Sequence, residues 1–258
     1  MVPLHIILAA LAGVAAPAAA ADWKLSASAV YETGDYGTGS PTDSLYVPFT
    51  LKRYYDYADF SVTLPYLRQS STGSVTRVGG RAVRAAARPS TAGSKVSASG
   101  PGDILVRGSY ELRREGPARF GLSLAGKLKL PTASRHKGLG TGEMDEGAGL
   151  EFSKKVSPRW SLLADGYFTI IGDPPGTDYD NELALDFGFY GKLRGDLYLT
   201  ALYETASAMI KGGSDPRDIN CTLEYAAPDG YRYSGGLTLG LSDGSPDLGL
   251  SAGVSRRF

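Results

Sequence analysis

The sequence has few features that would place it in a common class. It has a single cysteine, Cys221, so it cannot form an internal disulfide. Its 27 basic and 27 acidic side chains cancel, which excludes a nucleic-acid binder that depends on net charge. After the first 20 positions it contains no apolar run of roughly 20 residues, which excludes a polytopic helical membrane protein.

The abundant features are glycine, tyrosine and a two-residue alternation. The 34 glycines and 16 tyrosines are typical of all-β chains with tight turns and interfacial aromatics. In residues 120–130, FGLSLAGKLKL, phenylalanine and leucine share one face, opposite glycine, serine and lysine. The same alternation recurs over 183–192, 231–241 and 247–258. A period of two predicts strands, and helical periodicity fits none of these stretches.

The N-terminal segment predicts export. Residues 1–21 hold an apolar core followed by a small-residue A-x-A site, with cleavage expected between Ala21 and Asp22. No lysine or arginine precedes the apolar core, which departs from the usual pattern. A retained membrane anchor is the alternative, but the short, alanine-rich end favours cleavage. Export without paired cysteines fits a bacterial envelope protein, so we expect a signal peptide over 1–21 and one domain over 22–258.

The mature chain divides into twelve predicted strands, each close to the length that crosses a bilayer when tilted. Short and long connections alternate between them, which is typical of outer-membrane barrels with periplasmic turns and external loops. An even strand number puts both termini at the periplasmic end. We therefore predict an all-β fold, a transmembrane antiparallel up-and-down β-barrel in the bacterial outer membrane. The predicted strands are 23–32, 44–53, 59–68, 103–113, 118–130, 148–156, 160–171, 181–192, 196–209, 218–226, 230–241 and 247–258.

The two faces of these strands differ in charge. One face is apolar and nearly free of charge, so we expect it to contact lipid. The other carries both signs in similar numbers, which suits pairing across a wet lumen. Aromatics at the short-turn ends predict an interfacial girdle of Trp23, Tyr54, Tyr55, Tyr57 and Trp160. The residues expected to line the lumen and control selectivity are Asp103, Arg107, Glu111, Lys127, Lys129, Asp165, Asp186, Lys192 and Arg232.

The last residue, Phe258, ends a strand with an apolar face. In this it resembles outer-membrane barrels as a class, which end on an aromatic residue. The resemblance implies that the barrel-assembly machinery of Gram-negative bacteria recognises the terminal strand, so Phe258 is expected to be an assembly signal.

Five stretches resemble, in the same order, one family of outer-membrane barrels. They are VTLPYL (62–67), GPGDILV (100–106), KLKLPT (127–132), KGLGTGEMD (137–145) and GYFTIIGDPPG (166–176). The family is the one named for the MetA pathway of phenol degradation and regarded as a transporter. The resemblance covers most of the mature chain and implies a secreted barrel that transports small, including aromatic, compounds. Residues 70–99 depart from the family core because they form a basic, acid-free insertion.

The loop 69–102 is long and basic, with no acid before Asp103. Loops of this length without structure are usually functional or disordered. Three interpretations stay open: a solvated insertion, pairing of its arginines with the lipid A phosphates of lipopolysaccharide, or an inward fold that constricts the lumen and favours anions. The basic residues are Arg77, Arg81, Arg84, Arg88 and Lys95.

Three motifs suggest chemistry, and each has a simpler interpretation. GLGTGE (138–143) lacks the helix and the Lys-Ser/Thr pair of a phosphate loop. His136 and Ser134 could form a hydrolase pair, but they lie in a loop that does not hold them together. The carboxylates of 172–182 match no calcium-loop spacing, and bridging to lipopolysaccharide through a divalent cation is a minority alternative. We expect no catalytic residue, no metal and no cofactor.

The expected function is passive passage of small solutes, with aromatic or hydrophobic compounds suggested by the family. A barrel of this strand number lies between side-chain-filled barrels and open porins, so the lumen should be narrow. Loops 69–102 and 131–147 would gate it. The expected partners are outer-membrane lipid and lipopolysaccharide, the barrel-assembly machinery and the solute, and not nucleic acid. The alternatives are a closed structural or adhesive barrel and, less favoured, an outer-membrane hydrolase.

Overall fold

The computed structural model describes residues 22–71, 75–78, 81–84 and 96–258. The predicted signal peptide and its cleavage site lie outside these residues, as do Arg88, Lys95 and the side chain of Arg84. No helix in the described ranges is long and apolar enough to cross a membrane. Their regular elements are β1 Trp23–Gly34, β2 Thr42–Tyr54, β3 Ala58–Ser71, β4 Val75–Val78, β5 Arg81–Arg84, β6 Val96–Pro101, β7 Ile104–Arg113, β8 Gly121–Leu130, a 3-10 turn Arg135–Lys137, β9 Asp145–Lys155, β10 Trp160–Ile170, β11 Glu182–Arg194, β12 Leu197–Ala206, β13 Arg217–Ala226, β14 Tyr231–Gly240 and β15 Leu248–Arg257.

The long strands form one closed antiparallel barrel. Each pairs with its neighbours in sequence, and β1 pairs with β15 to close the ring. Strands β6 and β7 both pair with β3 and form one interrupted strand, so the wall has the predicted twelve strands. The interruption falls at Gly102, whose amide donates to Pro65 O at 2.9 Å and where a Cβ would lie 2.9 Å from the Pro65 ring.

The predicted sidedness is confirmed. Large apolar side chains project outward, as Leu124, Leu150 and Leu250 do, and about half of each is exposed. Charged side chains from the same strands project inward, and Lys129 is only 4% exposed. A closed sheet with an apolar exterior and a polar interior satisfies its backbone internally and meets lipid with one face and water with the other.

The barrel closes next to the chain's last residue. The Trp23 amide donates to Phe258 O at 3.0 Å, and the Phe258 amide donates to Trp23 O at 2.9 Å. These bonds continue the β1–β15 ladder to its end. Recognition of Phe258 by the assembly machinery stays a prediction.

The position of Tyr54 and the structure of the loop 69–102 differ from the expectations. Tyr54 lies on the same face of β2 as Lys52 and lines cavities inside the barrel, so it is not part of the outer girdle. The loop 69–102 also contains secondary structure that the sequence pattern did not predict. Strands β4 and β5 pair in antiparallel register from Val75–Arg84 to Val78–Arg81, and we call them the inward hairpin.

Candidate functional site: a constricted lumen

The inward hairpin packs against loops at the outer end of the barrel. Val78 is fully buried against Ile171, Tyr179 and Met209, which come from two of the long loops. On the other side of the hairpin, Val75 and Ala82 pack against Tyr36. Of the three interpretations of the basic loop, the described part of the loop adopts the inward one.

Arg77 connects the hairpin to the β1–β2 wall. Its Nη2 donates to Glu32 Oε2 at 3.0 Å and to Ser44 Oγ at 3.0 Å. Its guanidinium also lies 5.3 Å from the centre of the Tyr46 ring. The guanidinium is therefore held by one charge, one hydroxyl and one aromatic face, and it is not directed towards lipid A phosphates.

Arg81 makes a second connection, to the opposite wall. Its Nε lies 3.5 Å from Glu182 Oε1, and Lys127 Nζ lies 3.6 Å from Glu182 Oε2. Glu182 is 2% exposed, so both cations offset the cost of a buried carboxylate. Three further inward carboxylates interact electrostatically with Arg81: Asp186, Glu204 and Asp218.

The loop after β8 also folds over the lumen wall. Lys129 Nζ lies 2.6 Å from Asp145 Oδ2 and 3.9 Å from Asp103 Oδ2, and it donates to Thr141 Oγ1 at 3.1 Å. Leu139 of the same loop is buried against Leu67. The GLGTGE stretch is therefore a loop, as predicted, but it is packed in place.

Asp103 connects this cluster to the backbone of the loop through a hydrogen bond. Its Oδ1 accepts the Ala133 amide at 2.8 Å, and a Cβ on Gly140 would lie 2.6 Å from its Oδ2. A side chain larger than glycine at residue 140 would collide with this carboxylate. The cluster of Asp103, Lys129 and Asp145 thus holds the loop against the wall and is closed off from the open lumen.

Below the hairpin, Arg107 projects into the lumen and reaches side chains of β9 and β10. It contacts both Glu151 and the Tyr167 hydroxyl, and its guanidinium lies 5.1 Å from the Tyr167 ring centre. Lys127 approaches the same ring to 5.5 Å. The ring lies flat on the wall because Gly149 leaves room for it: a Cβ there would be 2.5 Å from Tyr167 Cδ1. Two cations therefore share one aromatic face in the middle of the barrel.

The periplasmic end holds two cavities. One, of about 520 Å³, is lined by acidic residues including Glu111 and Asp165, together with Arg107 and Ser123. The other, of about 430 Å³, lies on the far side of the barrel. A third cavity, of about 200 Å³, lies beside the hairpin between Arg77, Arg81 and the β12–β14 wall.

Cation and tyrosine pairs line the wall between these cavities. Tyr190 and Tyr198 stack with ring centres 5.7 Å apart, and Arg232 and Lys192 each lie 5.7 Å from the Tyr198 ring. Arg232 is paired with Glu224. These side chains share the inner face of neighbouring strands, as the alternation predicted.

The structure therefore separates the predicted lumen residues into two groups. Arg107, Glu111, Asp165, Asp186, Lys127, Lys192 and Arg232 face the lumen below or beside the hairpin. Asp103 and Lys129 are enclosed by the 131–144 loop. Sequence reasoning did not select Glu32, Asp145, Tyr167 and Glu182 as site residues. Three of them, Glu32, Tyr167 and Glu182, lie at inward positions of predicted strands, whereas Asp145 lies in the predicted loop 131–147.

The candidate catalytic and metal motifs do not form sites. Ser134 is the N-cap of the 3-10 turn and His136 lies within it, so the two side chains, two positions apart, do not face each other. Asp173 accepts the Tyr179 amide at 2.7 Å, Asp178 pairs with Lys211, and Glu182 points into the lumen, so the acidic stretch is divided. Among the described residues, no three His, Cys, Asp or Glu side chains converge as a metal site.

The contacts in the outer loops shift the pKa values of three ionisable groups. Burial raises the pKa of the Tyr36 and Tyr179 hydroxyls, so both stay neutral where they pack on the hairpin. The hydrogen bond that Lys211 Nζ donates to the Asp178 carboxylate raises the pKa of this exposed amine.

Comparisons with known proteins agree with this architecture. The model of the family described as "Putative MetA-pathway of phenol degradation" matches residues 46–258. Among solved structures, an outer membrane channel from Pseudomonas putida F1 is similar with a TM-score of 0.73 and 15% identity, over 95% of this chain and 100% of that one. NanC porin gives a TM-score of 0.56 and 8% identity over 91% and 100%, and KdgM porin 0.54 and 10% over 90% and 99%. No curated protein matches in sequence.

Proposed function

Because this chain belongs to the MetA-pathway family of phenol degradation, and has the barrel fold of outer-membrane channels, we propose that it is a passive channel for small solutes. The observation that carries the proposal is the lumen itself, which is lined by charged side chains and holds one cavity beside the inward hairpin and two at the periplasmic end. A purely structural barrel could fill this volume with apolar side chains at lower cost. The apolar exterior supports the proposal that lipid of the outer membrane surrounds the barrel.

The path runs from the outer cavity beside the inward hairpin to the two periplasmic cavities. Arg77 and Arg81 narrow it from one side, and Arg107 with Tyr167 narrows it from another. Solutes pass between fixed charges of both signs, so size and charge distribution decide which ones cross. In this proposal the accessible residues control selectivity, whereas Asp103 and Lys129 position the 131–144 loop.

The tyrosines suggest the kind of solute. Tyr198 presents its ring to the lumen beside Arg232 and Lys192, whereas Arg77 covers the ring of Tyr46, and Arg107 with Lys127 covers that of Tyr167. Aromatic rings and guanidinium planes both stack favourably on planar solutes. We therefore propose small aromatic compounds as preferred solutes, in agreement with the pathway in the family's name.

Liposome swelling tests the channel directly. Vesicles that contain the purified barrel should swell in isotonic arabinose, and should swell in small aromatic alcohols faster than protein-free vesicles do, because both solutes fit a narrow hydrated path. They should not swell in raffinose, which is too large. Uptake of none of these solutes by correctly folded protein would refute the channel.

A closed structural barrel remains the second candidate. The observation that favours it is the hairpin, which fills the outer part of the lumen and is bonded to both walls. The swelling assay separates the two, since a closed barrel admits no solute. We assign no reaction to the protein, because Ser134 and His136, the pair that suggested a hydrolase, are not oriented as a nucleophile and a base.

The remaining partners are proposals too. We propose that the barrel-assembly machinery binds the last strand through Phe258, and that lipopolysaccharide surrounds the outer end of the barrel. Contact with its phosphates would have to use residues other than Arg77 and Arg81, because both arginines point into the lumen.

A further inference from the structure

A row of like charges crosses the periplasmic end of the barrel. Lys52 of β2 is directly opposite Lys24 of β1, and Lys24 is directly opposite Arg257 of β15. All three point inward. Like charges in direct cross-strand register are destabilising, so this basic row costs the fold free energy and calls for a compensating role.

The charge of the basic row is only partly neutralised. Lys52 pairs with Asp59 at 2.9 Å, and the neighbouring Arg232 pairs with Glu224. Among the described side chains, no carboxylate forms an ion pair with Lys24 or Arg257. Lys24 is repelled by Lys52, Arg232 and Arg257, and its attraction to Glu224 is shared with Arg232. Two positive charges are thus left over.

The surplus charge faces a cavity of about 430 Å³. Its lining includes Lys24, Arg232, Arg257 and Tyr54, and none of its lining residues is acidic. Arg257 lies 4.2 Å from the centre of the Tyr54 ring, which orients the guanidinium. The acidic cavity of about 520 Å³ lies across the barrel, so the periplasmic end is positive on one side and negative on the other.

We propose that Lys24 and Arg257, with Arg232 beside them, form a subsite for the oxyanion of a small solute at the periplasmic end of the lumen. An ammonium and a guanidinium that share a partly enclosed cavity bind a carboxylate or phosphate through charge-assisted hydrogen bonds. The Tyr54 ring offers a surface for an attached aromatic group. The site's part in passage rests on the proposed channel, but binding itself does not.

Calorimetry on the purified barrel in detergent at low salt tests the subsite. The ligands are benzoate, its neutral analogue benzamide, and inorganic phosphate. We expect benzoate to bind and benzamide not to, and Lys24→Gln to weaken benzoate about tenfold, the cost of one charge-assisted hydrogen bond. If both phosphate and benzoate bind, the subsite recognises oxyanions in general. If only benzoate binds, the subsite is specific for aromatic carboxylates.

Lys155→Gln is the matched control, because Lys155 is an inward residue at the periplasmic end of β9, next to Glu115 on the acidic side. It should leave binding unchanged. Lys24→Gln should fold at least as well as the parent, since it removes a repulsion, and Arg257→Gln provides a second variant should Lys24→Gln fold poorly. The subsite would be refuted if benzamide bound as tightly as benzoate or if neither anion bound. It would also be refuted if Lys155→Gln weakened benzoate binding as much as Lys24→Gln does. Arabinose uptake measured on the same preparation reports on the channel separately.

Discussion

Replacing residues 72–95 with a short glycine-serine turn should raise single-channel conductance severalfold and make the current cation-selective. Ser71 and Val96 are paired neighbours, so a short turn can join β3 directly to β6. The conductance rises because the hairpin leaves the lumen, and conductance follows the open cross-section. The selectivity changes because Arg77 and Arg81 leave with the hairpin, while Glu32, Glu182 and the nearby inward carboxylates stay. Planar-bilayer recordings under a salt gradient measure both quantities.

A second variant separates the effect of the hairpin's connections from that of its bulk. Arg77→Gln with Arg81→Gln keeps the hairpin but removes both ion pairs, so we expect noisier current with a smaller rise in conductance. Lys211→Gln is the control, since Lys211 pairs with Asp178 in an exposed outer loop and should not affect the path. Heat-dependent mobility in electrophoresis verifies folding. Unchanged conductance after complete replacement would mean that the hairpin does not obstruct the path.

Lys129→Ala should lower the free energy of unfolding by about 3–5 kcal/mol, the typical cost of breaking a buried ion pair. The substitution leaves Asp145 and Asp103 without their cation while both stay in place under the 131–144 loop. Lys129 and Asp145 are 4% and 2% exposed, so little solvent is available to compensate. Urea denaturation in lipid vesicles measures the loss.

Lys127→Gln is the matched control, two residues away on the same inner face of β8. Lys127 is more exposed, and Glu182 keeps Arg81 as a partner after the change. We expect this variant to stay within about 1 kcal/mol of the parent, as is usual for partly exposed pairs, and to shift the reversal potential towards cations. If Lys127→Gln proved as destabilising as Lys129→Ala, the distinction between an accessible lysine and an enclosed one would be wrong.

The barrel wall could be predicted because each strand meets lipid on one side and water on the other. That contrast imposes a period of two on every strand, and the alternation of leucine or phenylalanine with glycine, serine and charge in β8 and β11 records it. The same alternation predicts the correct orientation of Tyr54, because it places Tyr54 on the inner face with Lys52. The composition of the turn suggested a girdle position, and the register is the more reliable signal.

The inward hairpin could not be predicted in the same way. Its strands have four residues each, which is too short for a clear periodicity, and they lie in a basic stretch rich in glycine and serine. Its position depends on partners far away in sequence: Arg77 pairs with Glu32, 45 residues earlier, and Arg81 with Glu182. Such pairs can be identified only in the folded barrel, where distant parts of the chain meet.

The sequence also did not predict how accessible each inward side chain is from the lumen. Alternation places Lys127 and Lys129 on one face, but it does not indicate that the 131–144 loop folds back over Lys129 and leaves Lys127 open. The loop returns because Leu139 has an apolar partner in Leu67, two strands away around the ring. A face assignment therefore identified the lumen residues but not which of them a solute can reach.

Reactivity of two adjacent cysteines tests the sidedness of the wall most directly. In a Cys221→Ser background, Ser123→Cys and Leu124→Cys are exposed to a charged, membrane-impermeant methanethiosulfonate reagent in lipid vesicles. Ser123 lines the 520 Å³ cavity, whereas Leu124 projects outward with 48% of its surface exposed. We expect Ser123→Cys to be modified and Leu124→Cys to be protected by lipid. Modification of Leu124→Cys with protection of Ser123→Cys would contradict it.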